Sequence, residues 1–175
     1  IVLGSLLARF GKAKVSLPGG CAIGSRPVDI HLFGLKKLGA KIKIKNGYIF
    51  AEAKKGLIGT QIKFPSISVG ATENVIIAAS LAKGTTRLRN CACEPEIKNL
   101  TDFLNKMGAN ITWLGKREIK IIGCKKLKQV SHQIMFDRIE AGTFIIAGAL
   151  TGKRLRILGV DTKILKKELT ILRRM

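Results

Sequence analysis

A cysteine and an arginine five residues apart form the part of this sequence best suited to chemistry. Cys21 lies within the run Pro-Gly-Gly-Cys-Ala-Ile-Gly of residues 18–24, and Arg26 follows shortly after. Three glycines and a proline disfavour both helix and strand, so the run predicts an exposed turn. Exposure beside a positive charge favours the thiolate, which is the reactive form of cysteine. We therefore predict a reactive thiol next to an anion site, with a loop cysteine that has no chemical task as the alternative.

The other three cysteines do not form a recognisable metal or disulfide pattern. Cys91, Cys93 and Cys124 include no C-x-x-C pair, and only His31 and His132 are available as nitrogen ligands. This spacing favours neither a zinc ribbon nor a disulfide framework. We expect three buried, inert thiols, no metal ion and no cofactor.

The chain is strongly basic, with 32 lysines and arginines against 11 acidic residues and a net charge of +21. Such a charge raises nucleic acid as a partner. The lysines, however, are scattered along the sequence, and aromatic residues make up only 5% of it, which leaves few platforms for base stacking. We expect a solvated basic surface that attracts anionic substrates and no nucleic-acid partner, with nucleic acid kept as the second choice.

No apolar run is long enough to cross a bilayer, and the first residues lack the basic flank of a signal peptide. We therefore expect no membrane partner and a cytoplasmic location. The chain has no initiator methionine, and the composition alone allows one domain or two small ones. We expect it to be the interior of a longer protein.

Two short runs recur at a spacing of 69 residues. Residues 39–42 (Gly-Ala-Lys-Ile) recur as 108–111 (Gly-Ala-Asn-Ile), and residues 76–79 (Ile-Ile-Ala-Ala) recur as 145–148 (Ile-Ile-Ala-Gly). A fixed spacing indicates a duplicated unit. Periodicity and the positions of Gly and Pro predict helix, strand, helix and then further strands in each copy.

The predicted boundaries follow from this template. The first copy has helices at 1–10 and 27–38 and strands at 14–17, 41–45, 48–53 and 58–64. The second has helices at 71–82 and 94–107 and strands at 86–90, 110–113, 118–122 and 133–136. The third has a helix at 139–150, a strand at 154–158 and a helix from about residue 162. The glycine-rich run around Cys21 is the largest departure from the template, which points to function rather than structure.

Three segments in this order resemble the enolpyruvyl transferases. Residues 17–31 resemble the catalytic loop of that family, residues 68–74 its nucleotide-contacting turn, and residues 137–144 the segment between its domains. The resemblance implies an α/β fold whose repeated helix-strand-helix-strand units form an inside-out α/β barrel. Residues 1–135 would form most of the first domain and residues 136–175 the start of the second.

The resemblance also implies an activity. The branch of the family with this cysteine loop transfers the enolpyruvyl group of phosphoenolpyruvate to the 3′-hydroxyl of UDP-N-acetylglucosamine, the first committed step of bacterial peptidoglycan synthesis. The sister enzyme that makes 5-enolpyruvylshikimate 3-phosphate lacks the loop. Cys21 would deliver a proton to the substrate double bond, form a covalent adduct with phosphoenolpyruvate and be alkylated by fosfomycin.

The residues implied to bind substrate fall into two groups. The first comprises Arg26, Pro27, Val28, Asp29 and Ile30, and the second comprises Ser66, Ile67, Ser68, Val69 and Gly70. Arg26 would face phosphate and substrate, residues 27–30 would line the uracil and ribose, and the second group would contact the nucleotide. Simpler alternatives are a surface arginine, a helix start at Pro27 and a helix cap at Ser68. Ser66 stands where the family commonly has a lysine, and Lys63 is a candidate substitute.

Several family residues lie outside this sequence, and the family's site forms between two domains. The resemblance therefore implies that these 175 residues alone are inactive. Two other functions stay open: an RNA-binding or RNA-processing protein of the related RNA 3′-phosphate cyclase fold, and an inactive remnant. The oligomeric state is not predicted.

Overall fold

A computed structural model describes residues 1–20, 27–152 and 154–175 of the chain. Cys21 and Arg26 lie outside the described residues. Contacts divide the chain into two units, Ile1–His132 and Gln133–Met175.

The first unit alternates helices and strands. Its helices are α1 (Val2–Phe10), α2 (Asp29–Lys37), α3 (Val69–Ala79) and α4 (Pro95–Lys106). Its strands are β1 (Lys12–Ser16), β2 (Lys41–Lys45), β3 (Tyr48–Glu52), β4 (Gln61–Lys63), β5 (Thr85–Arg89), β6 (Asn110–Gly115) and β7 (Glu118–Ile122). The second unit contains α5 (Arg138–Thr151) and α6 (Lys166–Leu172).

Two sheets with the same strand order show that the unit is duplicated. The first sheet has the order β1-β3-β2 and is antiparallel throughout. The second has the order β4-β5-β7-β6, in which β5, β7 and β6 repeat the arrangement of β1, β3 and β2. The added strand β4 pairs in parallel with β5. The predicted duplication and the mixed α/β class are confirmed.

The core lies against one face of each sheet and around α3. Strand β3 alternates between buried and exposed residues, with Ile49 and Ala51 inside, because successive side chains of a strand point to opposite faces. Helix α3 is buried on most of its surface, and its buried residues include the polar Thr72 and Asn74 as well as Val75 and Ile76. The substrate segment predicted at residues 68–70 therefore begins the most buried helix of the unit.

Close approach of the helices depends on two glycines. A Cβ on Gly4 of α1 would overlap the side chain of Asn74 in α3 and lie 2.5 Å from its carbonyl oxygen. A Cβ on Gly34 of α2 would overlap the Val75 side chain. Both α1 and α2 thus contact α3 at positions where no side chain larger than hydrogen fits.

The structure corrects several predicted boundaries. The strands predicted at 133–136 and 154–158 do not form. By the 69-residue repeat, residues 154–158 correspond to β5, and the counterpart of its antiparallel partner β7 would fall beyond Met175, so that pairing is not available within these residues. The strand predicted at 58–64 is limited to β4, preceded by an isolated bridge between Ile58 and Lys83.

The helix predicted from about residue 162 begins at Lys166 instead.

In the second unit, Asp137 caps α5 by accepting hydrogen bonds from the N–H groups of Ile139 and Glu140, at 2.7 and 3.2 Å. Among the described residues, no helix has the length and apolar character needed to cross a membrane.

Candidate functional site

The segment predicted to line uracil and ribose forms the start of α2. Val28 is the N-cap residue, and its carbonyl accepts the N–H of Leu32 at 3.0 Å. Pro27 therefore precedes the cap and is not the first helical residue, which corrects the predicted helix start. Pro27 and Asp29 are exposed, whereas Val28 and Ile30 are half-buried. Asp29 in the first turn favours the helix through its charge.

The second predicted segment forms the start of α3. Ser68 is the N-cap residue, with an extended backbone, and its hydroxyl accepts the N–H of Ala71 at 3.3 Å. The capping interpretation of Ser68 is thus confirmed. Val69 and Gly70 follow in the first turn, where backbone N–H groups have no acceptor within the helix and carry a partial positive charge. This end of α3 can receive an anion such as a phosphate.

A cavity of about 320 Å³ lies beside the start of α2. It is bounded by the start of α1, the end of β1, the start of α2, Ile49 of β3 and Asn74 of α3. Pro18 and Pro27, which lie on either side of the segment containing Cys21 and Arg26, both line it. The described residues that flank the predicted reactive loop therefore meet at one cavity.

Asn74 connects three helices at the floor of this cavity. It is 1% exposed, and its Oδ1 accepts the backbone N–H of Gly4 at 2.8 Å. Its Nδ2 lies 3.3 Å from Nδ1 of His31 in α2. An amide NH2 can only donate, so Nδ1 of His31 accepts and Nε2 carries the ring hydrogen. The two hydrogen bonds of Asn74 therefore fix the tautomer of His31.

His31 joins the two predicted substrate segments. A Cβ placed on Gly70 would lie 3.1 Å from Cε1 and 3.3 Å from Nε2 of the His31 ring. His31 also lines the cavity beside Val28. Burial lowers the pKa of His31 below its ordinary value of 6.5, so the ring is neutral at pH 7. A neutral imidazole thus packs between the start of α2 and the start of α3.

The remaining predicted site residues that the structure describes do not line the cavity. Ser66 and Ile67 lie in the exposed loop between β4 and α3, and Ile67 is 46% exposed. Lys63, the candidate substitute for the missing lysine, is exposed on β4. Cys21 and Arg26 lie outside the described residues, so their predicted roles stay predictions.

His31 and Asn74 are not among the substrate-binding residues that the sequence predicts. In the sequence, His31 stands out only as a candidate nitrogen ligand and as part of the loop motif, and Asn74 only as the last residue of the nucleotide-contacting turn. Their spacing of 43 residues gives no local signal of contact. The repeat could have placed α2 against α3, but the choice of side chains that meet there depends on helix rotation.

The other cysteines differ in accessibility. Cys91 is buried, and burial, with the nearby Glu118 carboxylate adding to the effect, raises the pKa of its thiol to about 12. Cys93 and Cys124 are partly exposed, so the prediction of three buried thiols was wrong for these two. In the described parts of the chain, no group of three or more His, Cys, Asp or Glu is arranged to hold a metal ion.

Solved structures define the class of fold. The enolpyruvyl transferase NikO from Streptomyces tendae superimposes with a TM-score of 0.77 at 21% identity, covering 99% of this chain and 42% of that one. EPSP synthase from Acinetobacter baumannii gives a TM-score of 0.64 at 20% identity, covering 85% of this chain and 33% of that one. The chain thus has the fold of part of an enolpyruvyl transferase.

The chain belongs to the family of EPSP synthase (3-phosphoshikimate 1-carboxyvinyltransferase), whose family model matches residues 1–175. It is 63% identical over 174 residues to the UDP-N-acetylglucosamine 1-carboxyvinyltransferase of Pelagibacter ubique (strain HTCC1062), covering 99% of this chain and 42% of the relative. The enzyme of the same name from Rickettsia bellii (strain OSU 85-389) is 53% identical over 165 residues, covering 94% of this chain and 39% of the relative. The chain therefore spans about two fifths of the length of these relatives.

Proposed function

We propose that the protein to which this chain belongs transfers the enolpyruvyl group of phosphoenolpyruvate to the 3′-hydroxyl of UDP-N-acetylglucosamine. The observation that carries the proposal is the position of His31, which lines the cavity beside the start of α2 and whose ring lies next to Gly70 at the start of α3. These are the two segments that the resemblance assigns to substrate binding. Relatives at 53–63% identity, named for this reaction, support the same assignment.

The proposed binding mode divides the substrate between the two helix starts. The N–H groups and partial positive charge at the start of α3 suit the diphosphate of the nucleotide. Residues 27–30 would line the uracil and ribose. Ser66 offers a hydroxyl where the family commonly has a lysine, so we expect a weaker diphosphate contact at that position.

The proposed chemistry places Cys21 and Arg26 at the reacting groups. Cys21 delivers a proton to the methylene carbon of phosphoenolpyruvate while the sugar hydroxyl adds to the neighbouring carbon. Loss of phosphate and of a proton from the tetrahedral adduct then restores the double bond in the product. The planar guanidinium of Arg26 suits the phosphate or carboxylate of the substrate. No metal or cofactor takes part in this scheme.

The complete protein supplies what this chain lacks. We propose that residues 1–135 form most of a first domain, that residues 136–175 begin a second one, and that both are inside-out α/β barrels. The site would form between the two domains, so the 175 residues alone would not turn over. The RNA-processing alternative is not favoured, because the relatives and the family model point to enolpyruvyl transfer.

The proposed product would enter peptidoglycan synthesis. The protein would then act in the bacterial cytoplasm and serve cell wall biogenesis, cell shape and cell division. Fosfomycin, whose epoxide a thiolate can open, would inhibit it by alkylating Cys21.

Thiol labelling of the complete protein tests the proposal. After incubation with fosfomycin and UDP-N-acetylglucosamine, peptide mapping by mass spectrometry should find one added fosfomycin on Cys21 and none on Cys91. With a pKa of about 12, the Cys91 thiol is ionised in only about one molecule in ten thousand at pH 8.

Cys93 and Cys124 serve as internal controls because they are partly exposed. They should react with iodoacetamide but not with fosfomycin, whose attack needs a bound phosphonate beside the thiol. Equal fosfomycin labelling of Cys21, Cys93 and Cys124 would show that Cys21 has no special environment and would contradict the proposal.

A further inference from the structure

The outer face of the first sheet carries a regular pattern of lysines and aromatic rings. Five lysines point outward from the two edge strands, namely Lys12, Lys14, Lys41, Lys43 and Lys45. The central strand β3 presents Tyr48, Phe50 and Glu52 on the same face. The strand register places Phe50 between Lys14 and Lys43, and Glu52 between Lys12 and Lys41. We call this surface the lysine–aromatic face.

The cations of this face are not neutralised by acidic partners. Glu52 is its one carboxylate, and its recorded ion pair is with Lys54, at 3.9 Å. Within the described residues, none of the five lysines takes part in a salt bridge. The ammonium of Lys14 instead lies over the aromatic rings, 4.4 Å from the Tyr48 centroid and 5.4 Å from the Phe50 centroid.

The duplicated sheet provides a comparison within the same molecule. On its outer face, Glu118 occupies the position that corresponds to Tyr48, and its carboxylate accepts hydrogen bonds from Arg89 and Arg87 at 2.9 and 2.5 Å. Lys120 corresponds to Phe50. The second sheet therefore carries arginines paired with a glutamate at this position. The first sheet, with the same strand order, carries lysines around two aromatic rings. A uniformly lysine-rich surface would not produce this difference.

We propose that the lysine–aromatic face binds single-stranded nucleic acid. Tyr48 and Phe50 are 42% and 39% exposed, so bases can stack on them, while the lysines contact backbone phosphates. Neighbouring strands lie about 4.8 Å apart, so the two rows of lysines are separated by about 10 Å with the rings between them. The flexible stem of Lys14 lets its ammonium move from the rings to a phosphate when a base takes its place.

The shape of the face favours a single strand over the flat surface of a membrane or a rigid duplex. Four lysines, Phe50 and the single carboxylate Glu52 line a groove of about 640 Å³ along the sheet; the lysines are Lys12, Lys14, Lys41 and Lys43. A groove with cations on both sides can follow one flexible backbone. The lysines are scattered along the sequence, but the fold brings five of them beside two aromatic residues.

Fluorescence anisotropy with a labelled oligouridylate of about 12 nucleotides tests this proposal. Affinity is measured for the full chain at salt concentrations from about 50 to 200 mM. The double variant Tyr48→Thr, Phe50→Thr keeps strand-forming residues and should lose at least about fivefold in affinity for each ring removed. The double variant Lys14→Gln, Lys43→Gln should reduce the slope of log affinity against log salt by about 1.4, since two phosphate contacts are lost.

The matched control is Lys116→Gln, Lys120→Gln, which removes two exposed lysines from the β6–β7 hairpin of the second sheet. It should leave the salt slope unchanged. Far-UV circular dichroism and thermal unfolding show whether each variant keeps its fold. Absence of oligonucleotide binding at about 50 mM salt would overturn the proposal, as would equal losses in both lysine variants. Binding to vesicles that contain phosphatidylglycerol is measured as well. If the Tyr48→Thr, Phe50→Thr variant loses vesicle binding but keeps oligonucleotide binding, the face binds a membrane surface instead.

Discussion

At the residue scale, the imidazole of His31 lies between the two predicted substrate segments of the candidate site. His31 accepts a hydrogen bond from Asn74 and packs against Gly70, and both contacts suit the neutral ring. A protonated ring would carry a hydrogen on Nδ1, facing the NH2 group of Asn74, and could not accept that bond. Burial also lowers the pKa of His31, which favours the same neutral ring.

We predict a pH-dependent stability that comes from His31. In the unfolded chain this histidine titrates near 6.5, whereas in the native state its pKa is lower. Between these values the unfolded state binds more protons, so the free energy of unfolding falls as the pH drops below about 6.5. In the His31→Gln variant, urea unfolding at pH 5 and pH 7.5 should show a smaller loss of stability than in the wild type.

The control is His132→Gln, which removes the chain's other histidine. Burial also raises the pKa of Glu73, which acts in the opposite direction, but this carboxyl is common to all three proteins and cancels in the comparison. If the pH dependence of the His31→Gln variant were the same as that of the wild type, His31 would not be buried as a neutral ring.

At the element scale, the site depends on how closely α1 and α2 approach α3. Asn74 receives the N–H of Gly4 only because α1 has no side chain at that position. We predict that Gly4→Ala lowers the free energy of unfolding by about 1–3 kcal/mol, because the new methyl group overlaps Asn74. Chemical denaturation measures this change.

Gly19→Ala is the matched control for Gly4→Ala. A Cβ at Gly19 would meet no atom within 4 Å, so its stability should differ little from that of the wild type. A Gly4→Ala protein as stable as Gly19→Ala would show that the two helices do not make this close contact.

The elements also show which parts of the fold could be predicted from sequence. The helices and the paired strands β2, β3, β6 and β7 were predicted because their periodicity is strong and each has a partner nearby. The strands at 133–136 and 154–158 were predicted by the same pattern and do not form, since pairing depends on a neighbour that a local pattern cannot supply. The sequence repeat agrees with the repeated strand order of the two sheets. The rotation of α2 about its axis, which places His31 next to Gly70, depends on tertiary packing and has no local sequence signal.

At the scale of the whole molecule, the two units differ in how much apolar surface they bury. In the second unit, Ile139, Phe144 and Leu150 of α5 are 63%, 53% and 82% exposed. Such exposure on one helix is unusual for a finished domain and is typical of a surface that another part of a protein covers. The chain spans about two fifths of its relatives, which is in keeping with this interpretation.

Charge is distributed unevenly over the molecule as well. The lysine–aromatic face keeps its cations unpaired, whereas the corresponding face of the second sheet pairs Arg87 and Arg89 with Glu118. Composition predicted a basic surface but could not assign the charges to one face, because strand order and register determine which lysines meet.

Phosphate release by the complete protein, supplied with phosphoenolpyruvate and one of two acceptors, tests the proposed reaction. We expect release with UDP-N-acetylglucosamine, none with shikimate 3-phosphate, and a loss of about 10²–10⁴-fold in the Cys21→Ala variant, since the proton donor is removed. Release with shikimate 3-phosphate, or undiminished release in the Cys21→Ala variant, would contradict it.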